Sequence, residues 1–163
     1  MKRALVTGGS GGIGSAICQH LAAAGLHVIV HANSNITQAE KLVSAINAKS
    51  GSAETVLFDV TNVDQSRQSL ERLLDNGPIQ VLVNNAGIHD DVPLAGMNAE
   101  QWYKVLDVTL NGFYNVTQSL LLPMMGMRWG RIISISSVAA VLGNRGQVNY
   151  SAAKSGLHGA TKS

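Results

Sequence analysis

ALVTGGSGGIGSAICQHL, residues 4–21, begins with an apolar triplet that runs directly into a cluster of glycines. The triplet Ala4–Val6 predicts a short buried strand, and the glycines predict a tight turn after it. Apolar residues then recur at helical spacing, at Ile13, Ile17 and Leu21. This stretch therefore predicts a strand, a glycine turn and a helix in direct succession.

A glycine turn between a strand and a helix is the setting in which a dinucleotide is bound. Glycines let the backbone approach a pyrophosphate closely, and the free N–H groups of the helix N-terminus favour its negative charge. A glycine cluster outside this setting would indicate only a flexible turn. The residues predicted to contact the phosphates are Gly8, Ser10, Gly11, Gly12, Ile13 and Gly14.

The rest of the chain alternates apolar runs with segments of helical pattern. The further predicted strands are 27–30, 54–58, 79–83 and 131–136, and the later predicted helices are 98–127 and one that begins near Asn149. Thr61 to Asp64 resembles a capping box, and 137–148 is predicted to be a loop. This alternation predicts an α/β fold, a doubly wound parallel sheet of Rossmann type with helices on both faces. We expect residues 1–163 to form a single domain.

The composition is that of a globular chain, with 45% hydrophobic and 13% charged residues among 163. A net charge of +2 without a basic run argues against nucleic acid or a membrane surface as a partner. The single Cys18, expected to be buried on the first helix, suits a reducing compartment. No apolar run approaches the roughly 20 residues of a membrane span. We therefore expect a cytoplasmic protein, and no metal site is predicted.

A polar run, residues 31–35, follows the second predicted strand. A carboxylate placed there would bond the adenosine ribose and repel a 2′-phosphate. The run contains none, which favours NADP over NAD, with Asn33 and Ser34 as candidate contacts. A polar turn that caps the next helix is equally consistent with these residues. Asp59, after the third strand, would bond adenine or merely hold a turn, and both interpretations stay open.

Tyr150 and Lys154 stand four residues apart in a run that predicts the start of a helix, so their side chains share one face. A nearby ammonium lowers the pKa of a phenol, and we expect Tyr150 to act as a general acid or base. Ser137 follows an apolar strand, at the edge where open α/β sheets bind ligands. Without the glycine turn, the pair would indicate only an exposed helix.

The glycine turn, the run Asn84–Gly87, Ser137 and the Tyr150/Lys154 pair follow one another in the order of the classical short-chain dehydrogenase/reductase family, which the whole chain resembles. The resemblance implies that Tyr150 exchanges a proton with the substrate oxygen while Ser137 bonds that oxygen. Lys154 would bind the nicotinamide ribose and lower the pKa of Tyr150. It also implies cofactor contacts for Asn85, Ala86 and Gly87, and adenine contacts for Asp59 and Val60.

Three runs are similar to 3-oxoacyl-(acyl carrier protein) reductases: Ile88–Asp91, Gly130–Ile133 and Gly143–Gln147. The implied reaction is NADPH-dependent reduction of a 3-oxoacyl thioester. Arg128 and Arg131 would receive an acidic carrier protein or are simply solvated. The family forms dimers or tetramers, so we expect a homo-oligomer. The alternatives are a dehydrogenase of another secondary alcohol and a non-catalytic NADP-binding protein.

Two features depart from the family. Its catalytic Asn on the long helix aligns with Thr109, while Asn111 lies two residues away and faces another direction. We expect a weakened proton relay at Thr109, and Thr109→Asn should change turnover. The chain also stops at Ser163 within a helical pattern, where the family continues with two more strands and a substrate loop. We expect this sequence to be part of a longer protein.

Overall fold

The computed structural model describes all residues from Met1 to Ser163. Its five strands are β1 (Arg3–Val6), β2 (His27–Ala32), β3 (Ser52–Leu57), β4 (Val81–Asn84) and β5 (Arg131–Ser134). Its α-helices are α1 (Gly12–Ala23), α2 (Ile36–Asn47), α3 (Val63–Asp75), α4 (Ala99–Leu106), α5 (Gly112–Gly126), α6 (Ala139–Leu142) and α7 (Val148–Lys162). A π-helical segment, Asp107–Asn111, joins α4 to α5, and a short 3₁₀ turn covers Leu94–Gly96.

All five strands are parallel and lie in the order β3-β2-β1-β4-β5. Leu5 in the central strand pairs with Ile29 on one side and with Leu82 on the other. The chain winds outward from β1 to β3, then returns to the other side of β1 to add β4 and β5. This topology confirms the predicted doubly wound sheet of Rossmann type. Its switch point lies between β1 and β4, where such sheets bind their ligands.

Side chains of successive strand residues enter two different cores, one on each face of the sheet. Val28 and Val30 pack on the face covered by α1 and α2, whereas Ile29 between them packs against α3 and α5. All three are fully buried, and each such side chain contributes about 1.5–3 kcal/mol by leaving water. Helices on both faces explain why the central strands β1 and β4 are buried along their whole length rather than at alternate residues.

The buried stripe of α1 lies one residue away from the predicted one, because Gly14, Cys18 and Ala22 face the core. Ile13 is 63% exposed and points away from it. Small residues on the buried face allow α1 to lie close to the sheet. The periodicity of large apolar residues does not reveal this close packing. Cys18 is fully buried, as expected, and burial raises the pKa of its thiol to about 12.

Several local predictions were wrong. The box from Thr61 to Asp64 does not cap α3, because Asn62 accepts the N–H of Gln65 instead. The predicted loop 137–148 contains α6, whereas the long predicted helix is confirmed as helical from Ala99 to Gly126, with the π-helical segment inside it. The fifth strand ends at Ser134, two residues early. None of the helices combines the length and apolar character needed to cross a membrane.

Candidate active site

The turn between β1 and α1 is a close-packed glycine cradle. Gly8 has a positive φ of 61°, a conformation that only glycine adopts readily. A Cβ at Gly14 would collide with the carbonyl oxygen of Gly8 and lie 2.8 Å from Asn85 Nδ2. The first three N–H groups of α1, from Gly12, Ile13 and Gly14, have no acceptor in the protein. The cradle therefore presents free donors and a partial positive charge to an anion.

The end of β4 fixes this cradle from the side. Thr7 Oγ1 accepts the backbone N–H groups of Asn85 and Ala86, each at 3.0 Å. In return, Asn85 Nδ2 donates to the carbonyl oxygens of Thr7 and Gly8 at 2.9 and 3.1 Å. Because these bonds join the carboxyl ends of β1 and β4, the glycine turn is held at the switch point of the sheet.

His31, the penultimate residue of β2, supports the cradle from below. Its Nδ1 accepts the N–H of Gly8 at 3.0 Å, and its Nε2 lies 2.8 Å from the carbonyl oxygen of Phe58. An Nδ1 acceptor leaves the proton on Nε2, which donates to Phe58. The side chain is buried, and burial lowers its pKa to about 4, against the opposing effects of the Phe58 bond and of Asp59. His31 is therefore neutral in the folded protein at pH 7.

The free energy of unfolding should decline as the pH falls from about 6.5 to about 4. In this pH range His31 is protonated in the unfolded state but not in the folded state, so acid favours the unfolded state. The difference between the pKa values of unfolded and folded His31 limits this loss of unfolding free energy to about 3 kcal/mol. Urea unfolding across this range should show a shallower decline for His31→Gln than for the parent. The exposed His20→Gln variant should keep the parental slope, and an equally steep decline in His31→Gln would contradict this assignment.

Tyr150 and Lys154 lie on one face of α7, as predicted, and line the same cleft. Lys154 is only 4% exposed, and its Nζ donates to the carbonyl oxygen of Ile135 at 2.7 Å. The same Nζ lies 5.8 Å from the centre of the Tyr150 ring. Burial lowers the pKa of the Lys154 ammonium. The structure therefore places a desolvated ammonium beside a half-buried phenol, although they are separated by a full helical turn.

The cleft has a volume of about 620 Å³ and extends from the glycine cradle to Tyr150. Its predicted residues are Gly8, Ser10, Gly11, Gly12, Ile13, Gly14, Asn33, Ser34, Asn85, Ala86, Gly87, Tyr150 and Lys154. It also contains residues without a predicted role: Ala32, Asn35, Ile88, His89, Ile135 and Ser136. No residue of this lining carries a carboxylate, and Lys154 is its one lysine or arginine.

Four predicted site residues do not line this cleft. Ser137 follows Ser136 at its border, and its Oγ accepts the N–H of Ala139 at 3.2 Å. Asp59 Oδ1 accepts both the N–H and the hydroxyl of Thr61, at 2.9 and 2.8 Å, so this carboxylate holds a turn. The other two are Val60 and Thr109, both buried.

Thr109 lies in the π-helical segment, and its buried Oγ1 has no hydrogen-bond partner. π-Helical turns occur frequently at functional sites because they redirect the backbone. Asn111 is exposed and bonds Asp107 through Nδ2, so it faces a different direction from Thr109, as predicted. The burial of the Thr109 hydroxyl without a hydrogen-bond partner is therefore energetically unfavourable.

Thr109→Val should leave the stability unchanged or raise it by about 1 kcal/mol, because it removes a buried hydroxyl that has no partner. Thr117→Val is the matched comparison on α5. Thr117 Oγ1 accepts the amide of Asn84 at 3.0 Å, and its loss should cost about 1–3 kcal/mol. Equilibrium unfolding in urea measures both variants. Equal costs would show that Thr109 makes a bond that the structure does not contain.

Sequence reasoning gave no role to His31, Ser136 or His89. The sequence feature that could have indicated all three is their position in the chain, because each lies at or after the end of a strand, at the edge of the sheet where ligands bind. Their contacts depend on tertiary packing: His31 reaches under the cradle, and Ser136 Oγ lies 2.6 Å from Nε2 of His158 on α7. The chain alone does not reveal such contacts between distant segments.

The doubly wound sheet, the glycine cradle at its switch point and the tyrosine and lysine on one helix define a Rossmann-type α/β protein with a cleft at that switch point. Residues 2–163 match the family model described as short chain dehydrogenase. The chain belongs to the short-chain dehydrogenase family.

Known relatives cover nearly the whole chain. It is 45% identical to a 3-oxoacyl-[acyl-carrier-protein] reductase of Synechocystis sp. over 98% of its length, and 41% identical to one of Aggregatibacter actinomycetemcomitans over 97%. It is 40% identical to an acetoacetyl-CoA reductase of Cupriavidus necator over 97%. The chain spans 65–66% of the length of these relatives.

Proposed function

We propose that the protein reduces 3-oxoacyl thioesters to 3-hydroxyacyl thioesters with NADPH, its leading substrate being carried by an acyl carrier protein. The observation that carries the proposal is the common cleft of Tyr150, Lys154 and the glycine cradle. A dinucleotide whose phosphates rest on the cradle has room to reach the phenol and the ammonium along one wall.

The residues of the cleft fit NADP. The free N–H groups of α1 and the tight approach at Gly14 suit a pyrophosphate. Ala32, Asn33 and Ser34 surround the end of β2 without a carboxylate that would repel a 2′-phosphate. Bound there, the cofactor would supply a hydride to the carbonyl carbon of the substrate.

The protein's own part in the reaction is to hold the carbonyl oxygen and deliver a proton. Tyr150 Oη donates that proton as negative charge develops on the oxygen, which is general acid catalysis. Ser137, at the border of the cleft, bonds the same oxygen through its hydroxyl. Lys154 would bind the nicotinamide ribose, and its positive charge, 5.8 Å from the centre of the Tyr150 ring, stabilises the negative charge left on the phenol oxygen when the proton has been donated.

The thioester substrate is supported by the relatives, whose names specify acyl-carrier-protein and CoA derivatives of 3-oxoacyl groups.

Arg128 and Arg131 are exposed at the beginning of β5, the opposite end from the cleft. Arg131 also lies over the Trp129 ring, 4.8 Å from its centre. A carrier protein would meet these arginines on this chain only at a distance from Tyr150.

A homo-oligomer, dimer or tetramer, is part of the proposal. The α5 helix exposes Leu121, Leu122 and Met125, of which Leu122 is 75% exposed. Large apolar side chains grouped on one helix favour burial against another protein surface. Sedimentation of the protein with Leu122→Glu should show a smaller species than the parent.

The experiment that tests the function measures NADPH oxidation with a 3-oxoacyl thioester, with simple ketones, and with NADH in place of NADPH. Preferred turnover of the thioester with NADPH is the expected result. Preference for a ketone or a sugar would instead indicate a dehydrogenase of another secondary alcohol. Tight NADPH binding without any turnover would indicate a binding protein and would overturn the proposal.

A further inference from the structure

We propose that His89 binds the thioester carbonyl of a 3-oxoacyl substrate and thereby sets the preference for such substrates over simple ketones. The inference rests on the proposed function, because only that substrate carries a second carbonyl beside the reacting one. His89 lines the cleft together with Tyr150 and Lys154. No step of the proposed reduction uses this histidine.

The imidazole of His89 stands beside the reacting phenol. The rings of His89 and Tyr150 lie 6.5 Å apart, centre to centre, and meet edge to face at 82°. The His89 side chain is 71% exposed, so a ligand in the cleft can reach it. A ketone oxygen at the Tyr150 hydroxyl therefore places the neighbouring atoms of its substrate within reach of the imidazole.

His89 is held in this position by the loop that leads into α7. Its Nδ1 lies 3.3 Å from Oδ1 of Asp91, whose Oδ2 accepts Nε2–H of Gln147 at 2.9 Å. The N–H of Val92 donates to the carbonyl oxygen of Gly146 at 2.8 Å. Because the same loop precedes Tyr150, the imidazole and the phenol are positioned relative to one another.

A second contact reinforces this arrangement. Asn149, the residue before Tyr150, is fully buried, and its Nδ2 donates to the carbonyl oxygen of Asp90 at 3.0 Å. The Asp90 carboxylate is in turn bonded by Nε2 of Gln101 at 3.0 Å. Asp90 and Asp91 are thus both anchored, and the His89 side chain just before them is exposed along the cleft.

The Asp91 contact decides which nitrogen is free. A carboxylate only accepts, so Nδ1 carries a proton and Nε2 is left for a ligand. In the imidazolium form Nε2–H donates, and a charge-assisted bond to a carbonyl oxygen is stronger than a neutral one. A 3-oxoacyl thioester has such an oxygen two carbons from the ketone, whereas a monoketone has none.

The charged and titratable groups around His89 are few. Asp90 and Asp91 share its loop, Arg145 belongs to the facing loop, and Tyr150 and Lys154 lie across the cleft. Tyr150 and Lys154 act on the reacting carbonyl of every substrate, so any change in them alters thioester and ketone reduction alike. The ratio of the two rates therefore isolates His89.

The test compares kcat/KM for a 3-oxoacyl-CoA thioester and for a cyclic monoketone, with NADPH, in the parent and in His89→Ala. The variant should lose about 10- to 100-fold on the thioester and nothing on the ketone. His89→Gln should recover part of the loss, because its amide N–H still donates. The exposed His20→Ala on α1 should behave like the parent.

Equal losses on both substrates, or no loss on either, would overturn the inference while leaving the proposed function standing. A parent that reduces the ketone but not the thioester would overturn the proposed function, and this inference with it.

Discussion

Tyr150→Phe should lower kcat for carbonyl reduction by about 10²- to 10⁴-fold, because it removes the one phenol hydroxyl in the cleft. The phenyl ring remains, so the contacts of Tyr150 with its surroundings are preserved. NADPH binding should change little, since the phosphates and adenosine are held by the cradle and the end of β2. Single-turnover absorbance of NADPH separates the two effects.

The comparison for this variant is Tyr103→Phe. Tyr103 is 61% exposed on α4 and lies outside the cleft, so the loss of its hydroxyl should leave turnover unchanged. Thermal unfolding of both variants should resemble that of the parent, because neither Tyr hydroxyl forms a hydrogen bond within the protein. Parental turnover in Tyr150→Phe would show that another group delivers the proton, and the mechanism proposed above would be wrong.

Gly14→Ala should destabilise the protein by about 1–3 kcal/mol, the usual cost of forcing a methyl group into a filled space. The added Cβ would meet the carbonyl oxygen of Gly8, Asn85 Nδ2 at 2.8 Å and Gly9 Cα at 2.9 Å. Two of these atoms belong to the backbone of the cradle, and the third is held by two hydrogen bonds. None of the three can move without opening the turn.

Gly12→Ala provides the matched control two residues earlier in the same helix. A Cβ at Gly12 has no protein atom within 4 Å, and alanine favours a helix over glycine by up to about 1 kcal/mol. Urea unfolding should therefore find Gly12→Ala equal to the parent or more stable, and Gly14→Ala less stable. If the two variants were equally stable, the tight packing at Gly14 would be absent in solution.

The architecture was predictable because it is written in local patterns. Apolar strand patterns alternate with helical patterns along the chain, and such an alternation is buried in a parallel sheet covered by helices. The observed sheet has this topology. Errors arose where several conformations satisfy the same pattern. The stripe of α1 was misplaced by one residue because small residues, Gly14 and Ala22 among them, occupy its buried face.

The candidate site was predictable to the extent that its residues are near in sequence. Tyr150 and Lys154 share a helix, and the glycine cradle is one turn, so spacing alone groups each set. Asp59 remained undecided because a carboxylate that holds a turn and one that binds a ligand look alike in a sequence; the bonds from Thr61 show the first role. The unpartnered hydroxyl of Thr109 had no sequence signal at all.

The sequence by itself determined the succession of strands and helices, the glycine turn and the Tyr150/Lys154 pair, because periodicity, glycine conformation and helical spacing act over a few residues. Only the tertiary structure decided what stands beside them: His31 under Gly8, Asn85 against the cradle, and His89 facing Tyr150. These contacts join segments that are far apart in the chain. They form only when the strands pair in one parallel sheet, which places the carboxyl ends of the strands side by side.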